Sequence, residues 1–337
     1  MKKSIYTFLA ILTSMNILLA QTDTTTVTKP AFTFSGSVDA YYRLSLVEDF
    51  QAAPGTSFAN LPGFSLGMAN LVVEHGGDKF GFKADLVFGP RGEDATFLSS
   101  ELRPGGSSNI VNQLYAYWNV SDAVKLTLGN FNTFLGYEVI SPTGNFNYST
   151  SYMFSYGPFS HTGFKADFTL DGGFSIMAGI FNPTDATEYN PTNDYAGGIQ
   201  LGYEGGGLGI WLNGLFSDGF TQLDITAGYD LTETIYVGLN ATAASDNFNG
   251  IATYIQVATS DALKIGLRAE SFMDKGLGLF ETDESVFDVT LSANYTLGNL
   301  TLIPEIRLDA FSKDIMGGNG AVTNSISSFV FAAVYGF

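Results

Sequence analysis

From residue 32 onward, apolar and polar side chains alternate. Phe32, Phe34, Val38, Ala40, Tyr42 and Leu44 fall on one face of an extended chain, and Thr33, Ser35, Asp39, Tyr41 and Arg43 on the other. Neighbouring side chains on a strand point to opposite faces, so this period of two predicts a strand with one apolar face. The pattern recurs. Phe80, Phe82, Ala84, Leu86 and Phe88 oppose Lys79, Lys83 and Asp85, and Phe164, Ala166, Phe168 and Leu170 oppose Lys165 and Asp167. Leu223, Ile225, Ala227 and Tyr229 oppose Asp224, Thr226 and Asp230. Leu263, Ile265 and Leu267 oppose Lys264, Arg268 and Glu270, and Ile306 and Leu308 oppose Glu305, Arg307 and Asp309. The polar face carries charges of both signs.

Counting such segments predicts about 16 antiparallel strands. Their connections alternate in length. Gly76 to Asp78, Ser121-Asp122, Asp171 to Gly173, Glu204 to Gly207, Leu231 to Glu233, Ser260-Asp261 and Gly298-Asn299 read as tight turns. Between them lie the longer links Val47 to Pro62, Gly89 to Ser108, Phe131 to Phe159, Pro183 to Pro191, Met273 to Ser285 and Ser312 to Ile326. Two connections, near Ser217 to Gly219 and Ser245 to Asn249, break the alternation. Short turns on one side and longer loops on the other is the asymmetry of a transmembrane β-barrel, which places the turns and both termini in the periplasm and the loops outside the cell.

Strand alternation alone also fits a soluble sandwich, and the ends of the chain decide the direction of the apolar face. Lys2 and Lys3, an apolar stretch from Ile5 to Leu19 and the exit Leu18-Leu19-Ala20 read as an export signal spanning 1–20, followed by a polar lead-in over 21–30 and a barrel over 31–337. The signal stretch is broken by Thr13, Ser14 and Asn16 and falls short of the ~20 residues of a spanning helix. At the other end Phe329, Phe331, Ala333, Tyr335 and Phe337 share one face, and this ending resembles the aromatic last strand by which outer-membrane barrels reach the insertion machinery. Together the two ends predict an all-β, closed antiparallel barrel in lipid, with its apolar face outward.

Composition fits that wall. The 337 residues include 29 Phe, 17 Tyr and 39 Gly, with 14% charged residues and no Cys. Mean hydropathy is +0.14, yet no further apolar run approaches the length of a spanning helix. The formal charge of −18, more negative still once Lys2 and Lys3 are removed, excludes nucleic acid as a partner. The predicted partners are outer-membrane lipid and, through Phe337, the insertion machinery. The sequence leaves room for a homo-oligomer.

The Phe131 to Phe159 link is too long for a plain connector and too aromatic to rest in water. It is expected to fold into the lumen as a constriction, with Phe131, Phe134, Tyr137, Glu138, Asn145, Asn147, Tyr148 and His161 as its working residues. The expected pore lining is Asp39, Arg43, Lys83, Asp85, Lys165, Asp167, Asp224, Arg268, Glu270, Glu305, Arg307 and Asp309.

The run from Gln113 through Leu170, with "LGNFNTFLGYEV", "NFNYS" and "GPFSHTG", resembles the β-barrel porins of the OmpL-like group. The opening "FSGSVDAYYRLSL" and the ending "FVFAAVYGF" are similar to that family's ends. The resemblance implies a porin-like barrel of the bacterial outer envelope and names no solute.

Catalytic and metal chemistry find little material. His75 sits at a strand end beside Gly76 and reads as a rim residue, and His161 belongs to the aromatic link. Ser160 and His161 are strand neighbours and point to opposite faces, so they form no dyad. Glu281 to Glu284 is an acidic run on a loop, and Glu204-Gly205-Gly206-Gly207 lacks a phosphate-binding Lys and a following helix. No enzyme, cofactor or metal is expected. The leading function is passive diffusion of small hydrophilic solutes across the outer membrane of a Gram-negative-type bacterium. The alternative is a non-conducting barrel whose outer loops bind a partner or anchor the envelope.

Overall fold

The computed structural model describes residues 32–48, 55–102, 105–188, 190, 192–279, 283–316 and 320–337. The expected export signal over 1–20 and the lead-in over 21–30 lie outside the described residues. Sixteen strands follow one another: β1 (Phe32–Ser45), β2 (Gly63–Gly76), β3 (Phe80–Phe88), β4 (Val111–Ser121), β5 (Val124–Asn132), β6 (Ser160–Thr169), β7 (Phe174–Phe181) and β8 (Ala196–Gly205) form the first half. The second half is β9 (Leu208–Ser217), β10 (Phe220–Asp230), β11 (Ile235–Ala244), β12 (Phe248–Ala258), β13 (Leu263–Asp274), β14 (Ser285–Leu297), β15 (Leu300–Met316) and β16 (Val322–Gly336). Each pairs antiparallel with its sequence neighbours, and β16 returns to β1 in register from Ser37↔Gly336 to Ser45↔Ser328, which closes the barrel.

Closure leaves no unpaired edge, and that is what permits strands in hydrocarbon, where an unmet N–H or C=O has no water to turn to. No helix among the described residues is long and apolar enough to cross a membrane. The side chains are arranged inside out relative to a soluble protein. Phe64, Leu66, Leu128, Leu223 and Ile306 stand exposed on the outer face, whereas Arg43, Arg268, Glu270, Asp288 and Glu305 are buried on the inner one. His75 joins the outer aromatic belt, its ring 4.7 Å from Phe32 and 6.1 Å from Phe82.

At one end the connections are tight. Gly172 (φ 76°) and Gly207 (φ 83°) sit in turns that need the left-handed backbone open to glycine. The other end carries the long links, and three of these differ from the sequence reading. The link after β3 holds two short helices, α1 (Pro90–Ala95) and α2 (Phe97–Leu102). The link after β5 holds α3 (Tyr152–Tyr156), whose N-cap Ser151 accepts the Phe154 amide at 3.0 Å. The last one is shorter than read, because β15 and β16 run on to Met316 and from Val322 as a hairpin.

Candidate functional site

The segment between β5 and β6 touches the inner faces of strands around most of the barrel. Its first limb meets β8, β10 and β11. Gln200 donates to the Phe134 carbonyl at 3.1 Å, the Gly136 amide donates to Asp224 at 3.1 Å, and the Tyr137 and Tyr236 hydroxyls are 3.0 Å apart. The Tyr137 ring stacks on Tyr254 of β12 at 4.0 Å. Burial keeps the Tyr137 phenol protonated far above its ordinary range.

The second limb meets β13, β14, β15 and β1, and here the wall speaks in charges. Glu305 accepts the Tyr148 and Ser149 amides at 2.8 and 3.1 Å, and Glu270 accepts those of Tyr152 and Met153 at 2.7 and 2.8 Å. Arg268 donates to the Ser149 carbonyl at 2.8 Å and Arg307 to that of Thr150 at 2.7 Å. A chain of ion pairs links these groups: Glu138 to Arg268 at 2.7 Å, Arg268 to Asp288 at 3.1 Å, Asp288 to Arg307 at 2.6 Å, and Arg307 to Asp309 at 2.7 Å. Both Glu138 oxygens are used, since the Ser151 amide donates to the second at 2.7 Å. The buried charges are thus compensated by opposite charge or by backbone amides, without which desolvation would cost several kcal/mol per ion.

The remaining loop residues knit these limbs together. Asn145 clasps Val139 through both backbone groups, at 2.9 and 2.6 Å, and Asn147 donates to Ser292 at 2.7 Å. The Tyr148 hydroxyl donates to Asp39 at 2.5 Å, and burial beside that carboxylate holds the phenol protonated. Tyr148 also packs with Tyr41, Ile303, Val330, Ala332 and Val334, which gives β16 an apolar inner face as well as an apolar outer one. Phe131 and His161 belong to the inner faces of β5 and β6 and not to the link, where the sequence reading places them: Phe131 packs with Leu135, Met177 and Phe181, and the His161 ring lies 5.1 Å from Phe134 and meets Thr133 at 3.0 Å. In the neighbouring link 182–195, Asp185 accepts the Phe159 and Ser160 amides at 2.8 Å each, and burial raises its carboxyl to about 7.

Of the residues singled out in the sequence, Asp39, Asp224, Arg268, Glu270, Glu305, Arg307 and Asp309 therefore gather around the loop. Arg43 is buried on β1. The others lie apart: Lys83 pairs with Glu74 at 2.8 Å, Lys165 with Asp167 at 2.8 Å, and Asp85 accepts from Asn112 at 2.6 Å. Sequence reasoning missed Asp288, although it sits at period two with Thr290, Ser292 and Asn294. It also missed Arg91 of α1, which donates to the Ile140 and Tyr148 carbonyls at 2.8 and 3.2 Å and for which the sequence carries no strand signal. No group of three or more His, Cys, Asp or Glu among the described residues could hold a metal ion.

Solved structures share this fold. OmpT, an outer-membrane protein of Vibrio cholerae in its trimer form, matches with a TM-score of 0.58 at 14% identity, covering 91% of this chain and 99% of that one. An anion-selective porin from Comamonas acidovorans matches with a TM-score of 0.59 at 12% identity over the same shares, 91% and 99%. A mutant Rh. blastica porin matches with a TM-score of 0.53 at 12% identity, covering 91% and 100%. No curated protein matches by sequence. The family described as "Putative beta-barrel porin-2, OmpL-like" matches residues 31–337, nearly the whole chain, and the protein belongs to it.

Proposed function

We propose that this outer-membrane porin of a Gram-negative-type bacterium passes small hydrophilic solutes by diffusion, through the part of its lumen that the β5–β6 segment leaves open. The observation that carries the reading is the clamping of that segment to the wall of a 16-stranded barrel by Asp39, Asp224, Arg268, Glu270, Glu305 and Arg307. A barrel of this size encloses more space than its wall side chains can fill, so an inserted loop sets the aperture. The protein acts as a channel and not as an enzyme. It faces outer-membrane lipid, is exported by residues 1–20 and is inserted through the final strand ending at Phe337. Because one structural neighbour is a trimer, we propose a homo-oligomer here too.

Conductance in planar bilayers tests the reading. Full-length protein should give small, discrete steps, and removal of Asn132 to Tyr156 should raise them while the barrel stays folded. Absence of current from both versions would favour the non-conducting barrel whose outer loops bind a partner. Unchanged current after the deletion would remove the loop from the aperture.

A further inference from the structure

Beside the first limb of the loop lies a cavity of about 270 Å³, bounded by Phe134, Tyr137 and Glu138 of the loop and by Gln200, Trp211 and Thr226 of β8, β9 and β10. Of its lining residues Glu138 alone is a charged side chain, and both its oxygens are already engaged, by Arg268 and by the Ser151 amide.

The wall is shaped to hold a ring flat. A Cβ at Gly202 would stand 2.9 Å from Trp211 Cδ1, and one at Gly209 only 2.7 Å from Trp211 Cη2. The indole therefore lies along the wall across two adjacent strands, and it lines the cavity. Its neighbours repeat the device, with Phe134 against Gly198, at 2.7 Å from such a Cβ, and Tyr137 against Gly238, at 2.8 Å. The Gln200 amide and the Thr226 hydroxyl stand among these rings.

We infer that this cavity is a binding subsite for a neutral, ring-shaped, hydroxylated solute of monosaccharide size, seated on the face of Trp211. An ion entering it would give up hydration with no opposite charge to meet, at a cost of several kcal/mol. A purely apolar solute would leave the Thr226 hydroxyl and the Gln200 side-chain oxygen unmatched, the Gln200 nitrogen already donating to the Phe134 carbonyl and to Asn213. A sugar ring offers C–H faces to an aromatic surface and hydroxyls at its rim, which is the combination of apolar walls and a few placed polar groups that such sites supply. The inference rests on the channel reading and gives that channel a solute class.

The chain has two tryptophans, and Trp118 is exposed on the outer face, so Trp118→Phe leaves Trp211 as the sole reporter. Titration of this full-length variant with D-glucose, D-glucosamine and D-glucuronate should give a saturable change in Trp211 emission with glucose. Half-saturation with either charged analogue should lie at least tenfold higher. In planar bilayers glucose should reduce the current of this variant, and the reduction should disappear in a Trp118→Phe, Trp211→Leu protein that still conducts. Absence of saturable emission change with glucose, equal response to the charged analogues, or block that survives Trp211→Leu would overturn the subsite. Since the emission titration needs no current, a protein that binds glucose but never conducts would refute the channel and leave the site standing.

Discussion

On β13, β14 and β15 the inner face presents Arg268, Glu270, Asp288, Glu305, Arg307 and Asp309, all of them nearly or fully buried against one another and the loop. On β7 to β11 the same face presents Gly179, Gly198, Gly202, Gly209, Gly228 and Gly238, each covered by an aromatic ring. Both sets pair antiparallel with their neighbours, β13 to β15 running longer than β7 to β11, and their inner faces differ in the side chains they carry. Charged groups grip backbone amides and carbonyls and so fill their sector with loop. Glycines withdraw the wall by a side chain's depth, and the rings laid over them keep a lined space. One barrel thus carries a charged sector and a sector of glycines and rings, and the passage proposed above follows the second.

Four substitutions probe that division. Arg268→Met should have the largest effect, because it strands Glu138 and Asp288 without their shared cation. We expect a loss of about 3–5 kcal/mol in denaturant unfolding together with raised conductance, and wild-type stability would deny the clamp. Gly198→Leu intrudes where a Cβ already meets Phe181 at 2.6 Å, so overpacking should cost about 1–3 kcal/mol and the current should fall. A rise in current there would place the passage elsewhere. Glu270→Gln removes the charge and keeps an acceptor for only one of the Tyr152 and Met153 amides, which bond separate oxygens, and a loss of about 1–2 kcal/mol is expected in the same unfolding assay.

A fourth effect concerns pH. Asp185 holds its proton more tightly in the folded protein, at about 7 against the usual 3.8, so its contribution to stability is full below about 4 and declines as pH rises toward 7. Asp185→Asn should therefore flatten the loss of thermal stability across that window. Equal slopes for the two proteins would show that the carboxyl is not desolvated as described.

How much of this was legible beforehand follows from the range of each interaction. Strand alternation and tight turns are local, so β3, β10 and β13 and the turns at Asp171 to Gly173 and Gly298-Asn299 stand in the sequence almost as they fold. The long aromatic link is legible as an anomaly. Its seat is not, since Thr150 meets Arg307 across 157 positions and Tyr148 meets Asp39 across 109. Val330, Ala332 and Val334 illustrate the same limit: an apolar inner face contradicts the barrel rule until Tyr148 is seen to cover it. Asp288 could have been found by extending period two through Val286, Thr290 and Ser292. Arg91 could not, because nothing local announces that a short helix in the link after β3 reaches the loop.

Those long separations also order events in time. The loop lies in the middle of the chain, yet the amide and carbonyl partners that seat it come from β13 to β15 and from β1, which become neighbours only when β16 has found β1. Contacts so distant in sequence form late and slowly. An assembling chain must therefore carry an unseated aromatic loop until its last strands are in place, and a chain halted before β13 has no means of seating the second limb. Seating of the loop thereby reports that the circle is complete, so resistance of the Phe131 to Phe159 region to protease should mature together with closure and not with the first strands inserted.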